Sequence, residues 1–176
     1  MTAPPRTGAL RRVRYDHPDV SVLVVRLQDE YVARYDGQDD TPLSVDELCP
    51  PEGVFLVAYA DGAPVAMGGW RRHVEARSGH VAGERAVEIK RMYVVPEARG
   101  HGLARRLLAE LERLAVADGA DQVVLETGGA QPEAIALYRS EGYVDIDAFG
   151  HDCASDRSVH LGKPLSVPDA AAGTIG

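Results

Sequence analysis

The chain lacks the features that would anchor it in a membrane or hold it together by disulfides. Its longest strongly apolar run, residues 20–25 with Ser21 inside it, is far too short to span a bilayer. The first residues, Met-Thr-Ala-Pro-Pro-Arg, contain no apolar signal core. The two cysteines, Cys49 and Cys153, have no metal-ligand spacing and no further partners. We therefore expect a cytoplasmic protein with reduced thiols, no metal and no membrane partner.

Positive charge is also scarce. The 176 residues hold 19 Lys and Arg against 27 Asp and Glu, which gives a net charge of −8. Such acidity argues against duplex DNA as the main partner, so we expect no nucleic acid partner. Hydrophobic residues make up 45% and charged residues 26%, which is typical of a folded globular domain and excludes a disordered or collagen-like chain.

What the sequence does contain is an alternation of strand and helix patterns that fits one domain. The mixed order of these patterns predicts an α/β or α+β domain with a mixed sheet. We expect residues 1–9 to be a flexible leader, 10–165 a single domain and 166–176 a loose tail. Strands are predicted at 10–15, 54–60, 64–71, 86–95 and 122–127 and as a last hairpin of 143–149 with 158–161, and helices at 18–35, 103–118 and 132–140.

The most informative segment is a glycine-bearing loop between a predicted strand and the second predicted helix. Gly100 and Gly102 let the backbone approach a ligand with no Cβ in the way. The first turn of the helix adds unpaired N–H groups and the positive end of the helix dipole. Arg99, Arg105 and Arg106 make the same region locally basic. A pyrophosphate is therefore a natural occupant of this loop.

Two common nucleotide motifs do not fit the loop. The dinucleotide fingerprint needs a third glycine at position 105, which is Arg105, and the Walker pattern needs a Gly-Lys-Ser/Thr tripeptide that the chain lacks. Taken alone, the glycines are explained equally well by a tight strand-to-helix turn with no ligand.

Residues 99–104, Arg-Gly-His-Gly-Leu-Ala, resemble the acyl-CoA motif Gln/Arg-x-x-Gly-x-Gly/Ala of the GNAT superfamily of acyl-CoA-dependent N-acyltransferases. Tyr-Val-Val-Pro-Glu at 93–97 and Ala-Ile-Ala-Leu-Tyr-Arg-Ser-Glu-Gly-Tyr at 134–143 also look like the family, and the resemblance covers about residues 54–150. It implies an α/β (α+β-like) fold with a mixed, mostly antiparallel central sheet of six to seven strands, about four flanking helices and a splayed parallel strand pair. It leaves a homodimer open.

The resemblance also implies acetyl-CoA as the acyl donor, bound where the two parallel strands splay apart. The pantetheine arm would pair with the backbone near Met92, and the pyrophosphate would lie on N–H groups of the glycine loop. Gln131 stands where many relatives carry Asn, seven residues before the tyrosine of the downstream segment. The residues expected to bind the donor are Met92, Tyr93, Val94, Arg99, Gly100, His101, Gly102, Leu103, Ala104, Arg105 and Gln131.

By the same resemblance, the reaction is direct transfer of an acetyl group to a primary amine, and Tyr138 is the acid that protonates the departing thiolate. The backbone N–H of Val94 is the expected donor to the oxyanion. The alternative for Tyr138 is an ordinary core tyrosine of a short helix. The amine acceptor, whether small molecule, peptide or protein, is not readable from the sequence.

Glu88 is the candidate general base, because some relatives carry a catalytic glutamate at this point of the strand. Strand alternation predicts that Glu88, Lys90 and Met92 share one face of the sheet, with Ile89, Arg91 and Tyr93 on the other. An ion pair of Glu88 with Lys90 or an arginine is an equal alternative.

Other interpretations stay open at this point. His73 or His80, in the loop before the same strand, could serve as the base instead of Glu88. The whole chain could be an acyl-CoA sensor without transfer activity, or a nucleotide-binding regulatory module that uses the same loop. The acidic residues of the 36–53 and 72–85 loops are read as solvated charge rather than as a site for a cationic amine.

Overall fold

The strands and helices follow one another in the predicted order. The computed structural model describes residues 7–38, 43–72, 85–149 and 157–166. Within these residues the strands are β1 (Thr7–Arg12), β2 (Gly53–Ala60), β3 (Ala63–Arg72), β4 (Ala86–Val94), β5 (Gln122–Gly128), β6 (Val144–Asp145) and β7 (Ser158–Pro164), and the α-helices are α1 (Pro18–Tyr35), α2 (Leu103–Ala117) and α3 (Pro132–Ser140).

The seven strands form one sheet in the order β1-β2-β3-β4-β5-β7-β6. All neighbouring strands run antiparallel except β4 and β5, so the predicted mixed, mostly antiparallel sheet is confirmed. The described part of the chain holds three α-helices rather than about four. The predicted last hairpin is present, because β6 pairs with β7. Strand β1 begins at Thr7 rather than at Leu10, since its main-chain pairing with β2 continues as far as Ala60.

The parallel pair separates part-way along its length. Pairing of β4 with β5 runs from Ala86 opposite Gln122 to Ile89 opposite Leu125 and stops there. Both strands continue beyond that point, β4 to Val94 and β5 to Gly128. The predicted splay is therefore present, and it begins five residues before Val94, leaving a notch between the carboxyl ends of the two strands.

A β-bulge interrupts β4 just as the splay begins. On β3, Gly69 and Met67 are two residues apart, whereas their partners on β4, Lys90 and Tyr93, are three residues apart. The extra residue lies next to Arg91, whose backbone is left-handed with φ 58°. Because β4 has no glycine at this position, its sequence does not predict the bulge.

The bulge corrects the predicted assignment of side chains to the faces of β4. Glu88 and Lys90 share a face with Tyr93, and Met92 lies on the opposite face with Ile89. A Cβ added to Gly68 of the neighbouring strand would lie 2.6 Å from the Met92 sulfur, which agrees with this placement. The prediction that Met92 shares a face with Glu88 is wrong because one inserted residue reverses a pattern of period two.

Helices α1 and α2 pack against the rest of the protein through the apolar faces from which they were predicted. Helix α1 begins after His17, whose Nδ1 accepts a hydrogen bond of 3.2 Å from the Asp19 N–H, and it buries Val20, Leu23 and Leu27. Each fully buried aliphatic side chain contributes about 1.5–3 kcal/mol. None of the described helices is long and apolar enough to cross a membrane. Helix α2 buries Leu103, Leu107, Leu108, Leu111 and Leu114.

Candidate active site

The loop that joins β4 to α2 leaves a helix N-terminus open. Gly100 and Gly102 have φ angles of 80° and 73°, which a side chain would strain, and an added Cβ at either would meet nothing within 4 Å. Gly102 is the residue that caps α2, and as a glycine it has no side chain that could hydrogen-bond to the N–H groups of the first turn. A helix N-terminus of this kind suits an anion, and the binding of a pyrophosphate here stays a prediction.

Two ion pairs fasten this loop to helix α1. Arg26 holds the Glu97 carboxylate with two hydrogen bonds of 2.8 Å, and this contact lowers the pKa of Glu97 to about 2. Arg99 pairs with Glu30 at 2.6 Å and also donates from Nε to the Val94 carbonyl at 2.9 Å. The loop is thus fixed against α1 at both ends of its irregular part.

The other two arginines of the basic cluster point in different directions. Arg105 is ion-paired with Glu141 and donates to the Ser140 hydroxyl at 3.2 Å, so its charge stays beside the loop. Arg106 instead donates to the main-chain carbonyl of Gly8 at 3.1 Å, at the start of β1. The local positive charge predicted from three arginines is therefore supplied at the loop by Arg99 and Arg105.

A cavity of about 480 Å³ opens in front of the loop and runs into the notch between the splayed strands. We call it the donor cavity. Ten of the eleven residues predicted to bind the donor line it. The exception is His101, an exposed residue whose Nδ1 lies 2.8 Å from the Arg99 carbonyl oxygen and whose side chain is not part of the cavity wall. Its predicted role as a donor contact is not supported by this placement.

The main-chain groups of Val94 face the notch. In an antiparallel pair, residues alternate between those that bond to the partner strand and those whose N–H and C=O point away. Val95 donates to the Val65 carbonyl at 2.9 Å, and Val94 lies opposite Ala66. Val94 therefore belongs to the pair that points away from β3, and its N–H is directed to the side where β4 and β5 have separated.

Tyr138 is a buried residue that lines the donor cavity. It is 5% exposed and packs edge-on against the Tyr143 ring, with 5.5 Å between ring centroids. Within the described part of the chain its hydroxyl makes no hydrogen bond, although it lines the cavity. Burial raises the pKa of Tyr138 above its ordinary value, so the hydroxyl keeps its proton and can donate at neutral pH.

A second cavity, of about 430 Å³, lies on the other side of the notch. We call it the acceptor cavity. Its wall is built from the end of α1, the splayed parts of β4 and β5, the start of α3 and the start of β7. Tyr138 lines both cavities, and the other shared wall residues are Tyr31, Met92, Gln131 and Ala134. The two cavities therefore meet where the parallel strands separate.

Close packing at the end of α1 forms one side of the acceptor cavity. The Tyr35 hydroxyl lies so near the Gly128 backbone that a Cβ at Gly128 would clash with it. This hydroxyl is buried and has no hydrogen-bond partner in the described structure. The glycine at the end of β5 thus leaves room for the Tyr35 ring to lie against this strand.

The acceptor cavity contains one carboxylate among its described residues, that of Glu126. Glu126 follows Leu125, the last residue of β5 that pairs with β4, and it accepts a hydrogen bond of 2.5 Å from the Ser158 hydroxyl. Sequence analysis did not select Glu126, because a single glutamate near the end of a strand matches no motif.

Glu88, the predicted base, is not part of the wall of the acceptor cavity. It is 1% exposed, lines neither cavity, and its carboxylate contacts Lys90 at 2.8 Å and Arg71 at 2.9 Å. The ion-pair alternative is therefore present, and the role of Glu88 as a base stays a prediction. The alternative bases His73 and His80 lie outside the described residues.

Within the described ranges there is no group of three or more His, Cys, Asp or Glu residues that could hold a metal ion. The groups that line the notch include main-chain donors, tyrosine hydroxyls, carboxylates and cationic side chains. These groups suit proton transfer and the binding of a phosphorylated ligand.

Comparison with known proteins agrees with this geometry. A family model described as "Acetyltransferase (GNAT) family" matches residues 23–143. A protein of Azospirillum brasilense named IAA acetyltransferase is 35% identical over 148 residues, which are 84% of this chain and 92% of that protein. The chain belongs to the acetyltransferase (GNAT) family. It is therefore an acyltransferase, and the resemblance seen in residues 99–104 is confirmed.

Further relatives of this GNAT acyltransferase support the same assignment. The human N-acetylaspartate synthetase is 34% identical over 120 residues, which are 68% of this chain and 35% of that protein. A solved structure described as an acyl-CoA N-acyltransferase of Klebsiella pneumoniae has a TM-score of 0.72 at 28% identity and covers 92% of this chain and 99% of that one. The described fold thus agrees with that of a solved acyl-CoA N-acyltransferase.

Proposed function

We propose that this GNAT acyltransferase transfers an acetyl group from acetyl-CoA to a primary amine. The observation that carries the proposal is that the donor and acceptor cavities meet at Tyr138, in the notch between β4 and β5. The anion-binding end of α2 lies at the other end of the donor cavity, so a long phosphorylated thioester can lie with its reactive end at the notch.

In this reaction the amine nitrogen bonds to the thioester carbonyl carbon, and the carbon–sulfur bond breaks. The Val94 N–H, directed into the notch, would donate to the carbonyl oxygen as negative charge develops on it. The Tyr138 hydroxyl would give its proton to the departing thiolate, since burial keeps that hydroxyl protonated. The proton that the amine loses must go to a base in the acceptor cavity.

Glu126 is the base that the geometry favours. It lines the acceptor cavity, whereas the Glu88 carboxylate lies behind the wall and between two cations. We therefore assign the base to Glu126 and keep Glu88 as the second candidate.

The names of relatives support an acetyl donor but leave the acceptor open. One relative is named for IAA, another for N-acetylaspartate, and a third, from Nocardiopsis dassonvillei, for mycothiol. These names refer to different compounds, so none of them is carried over to this chain.

The proposal is tested by release of free CoA thiol from acetyl-CoA in the presence of a panel of primary amines, with Tyr138→Phe as the control. Thermal unfolding adds a binding test, in which acetyl-CoA should raise the melting temperature and neither ATP nor NAD should. Stabilisation by acetyl-CoA without CoA release from any amine would indicate the sensor alternative. Stabilisation by ATP or NAD alone would indicate a nucleotide-binding module.

A further inference from the structure

The residues that line both cavities surround the place where the acyl group must lie. In the proposed reaction the amine attacks the acyl carbon, so the acyl group has to reach the junction of the donor and acceptor cavities. The side chains at this junction come from β4, from the start of α3 and from α1, and they are Met92, Gln131, Ala134, Tyr138 and Tyr31. The room for the acyl group is therefore set by these side chains.

Tyr31 is the residue that α1 contributes to this junction. Leu27 and Glu30, which precede it on α1, line the donor cavity and not the acceptor cavity. Tyr35, one turn later, lines the acceptor cavity and not the donor cavity. Burial, and after it the nearby Tyr31, raise the pKa of Tyr138, which agrees with a position of Tyr31 close to the proposed acid. Tyr31 therefore lies where α1 passes from one cavity to the other.

The ring of Tyr31 is supported by a second tyrosine. The Tyr35 ring packs edge-on against it, with 6.0 Å between ring centroids and an interplanar angle of 67°. The buried Tyr35 hydroxyl in turn lies against the Gly128 backbone at the end of β5. A displacement of the Tyr31 ring toward Tyr35 would therefore be resisted by the sheet.

Ion pairs next to Tyr31 fix the turn of α1 that carries it. Glu30 contacts Arg99 of the glycine loop at 2.6 Å and Arg34 of its own helix at 2.8 Å. Arg34 also forms an ion pair with Glu133 of α3. This turn is thus connected both to the donor loop and to α3, so moving it away from the junction would break contacts with both.

We propose that Tyr31 is a specificity-determining residue that limits the donor to a short acyl group, acetyl in preference to butanoyl, and this rests on the proposed function. Met92 and Gln131 have flexible side chains and Ala134 is small, whereas the Tyr31 ring is rigid and supported. A longer chain would have to displace this ring or extend into the acceptor cavity, where the amine needs the space. One methylene that a pocket does not fit changes kcat/KM by about 10–200-fold.

The test compares acetyl-CoA with propanoyl-CoA and butanoyl-CoA on the amine that acetyl-CoA acylates best. We expect kcat/KM of the wild-type protein to be at least about 10-fold lower for butanoyl-CoA than for acetyl-CoA. Tyr31→Ala removes the ring and should raise the butanoyl-to-acetyl ratio of kcat/KM about 10-fold. Tyr31→Phe keeps the ring and should keep the wild-type ratio. Wild-type protein that uses butanoyl-CoA as well as acetyl-CoA would overturn the inference and leave acyl transfer to an amine standing.

Tyr59→Ala is the matched control for the loss of a tyrosine ring. Tyr59 is half-buried, contacts the first turn of α1 through a hydrogen bond of 2.6 Å to Asp19, and lines neither cavity. Its loss should lower stability without changing the butanoyl-to-acetyl ratio. If Tyr31→Ala does not fold, Tyr31→Leu gives the same comparison with a smaller rise. A ratio unchanged in the folded Ala or Leu variant, or raised equally in Tyr31→Phe, would contradict the proposal.

Binding in the absence of an amine separates this inference from the proposed function. Calorimetry gives the dissociation constants of acetyl-CoA and butanoyl-CoA for the wild-type protein and for Tyr31→Ala. We expect the variant to bind butanoyl-CoA several-fold more tightly, relative to acetyl-CoA, than the wild type does. An unchanged ratio of dissociation constants would overturn the inference without reference to any acceptor. Failure of every amine to release CoA from any of these thioesters counts against the proposed function instead.

Discussion

The donor cavity and the acceptor cavity are built in opposite ways. The polar end of the donor cavity includes one short segment, residues 99–105 without His101, whose main-chain N–H groups begin α2. The acceptor cavity takes side chains from two helices and three strands. A donor that is constant across a family can be bound by backbone, which any sequence supplies. An acceptor that differs between members must be bound by side chains, which can change singly.

Loss of the proposed acid, Tyr138, which lines both cavities, should have the largest effect. Tyr138→Phe removes the hydroxyl that would protonate the thiolate, so we expect kcat to fall about 1,000-fold with little change in the KM for acetyl-CoA. Steady-state kinetics measure both values. Unchanged turnover would make Tyr138 an ordinary core residue.

Tyr143→Phe is the matched control for this change. It removes another buried tyrosine hydroxyl, which donates to Glu112 at 2.9 Å and lines neither cavity. We expect a loss of about 1 kcal/mol in the free energy of unfolding and no change in kcat.

Loss of the base should affect the acceptor side alone. Glu126→Gln is expected to lower kcat about 100-fold and to flatten the acidic limb of the pH–rate profile, because no carboxylate then needs to be deprotonated. Glu88→Gln should keep that limb and lower stability, since it weakens the buried contacts with Lys90 and Arg71. If Glu88→Gln is the variant that removes the limb, the sequence-based assignment of the base is right.

A substitution that strains the backbone of the glycine loop should affect the binding of acetyl-CoA alone. Gly102→Ala places a Cβ where φ is 73° and where the anion would approach, so we expect the KM for acetyl-CoA to rise about 10-fold. Gly119→Ala, at φ 86° beyond the other end of α2, is the control. Both variants should lose about 1–2 kcal/mol of stability from left-handed strain. An equal rise in KM for both would mean that strain, not approach, limits binding.

The smallest expected effect is an alkaline loss of stability outside both cavities. Burial and a hydrogen bond to the Asp19 carboxylate raise the pKa of Tyr59 to about 12 from an ordinary 10.0. The folded state holds this proton more tightly, so the stabilisation is complete below pH 10 and is lost as pH rises toward 12. Tyr59→Phe should reduce the decline in melting temperature over that window without changing kcat at neutral pH.

The same contrast explains which features could be predicted from sequence. Helices α1 and α3 have the predicted bounds, because their apolar spacing and flanking residues act locally. Residues 99–105 could be proposed as the donor site because they are contiguous and carry a family motif. Glu126 and Arg157 were missed because they become neighbours only through the insertion of β7 beside β5. That pairing is a long-range property with no local signal.

The bulge at Arg91 has a consequence for how β4 tolerates substitution. Before the bulge, the side chains of Glu88 and Lys90 lie on the face of the sheet that holds their ion pair. After the bulge, the side chain of Tyr93 lies on that face. A scan of single substitutions along β4 should therefore show an alternating profile that skips one position at residue 91. Deletion of one residue there would restore strict alternation and turn the side chains that precede or follow it to the wrong layer of the protein.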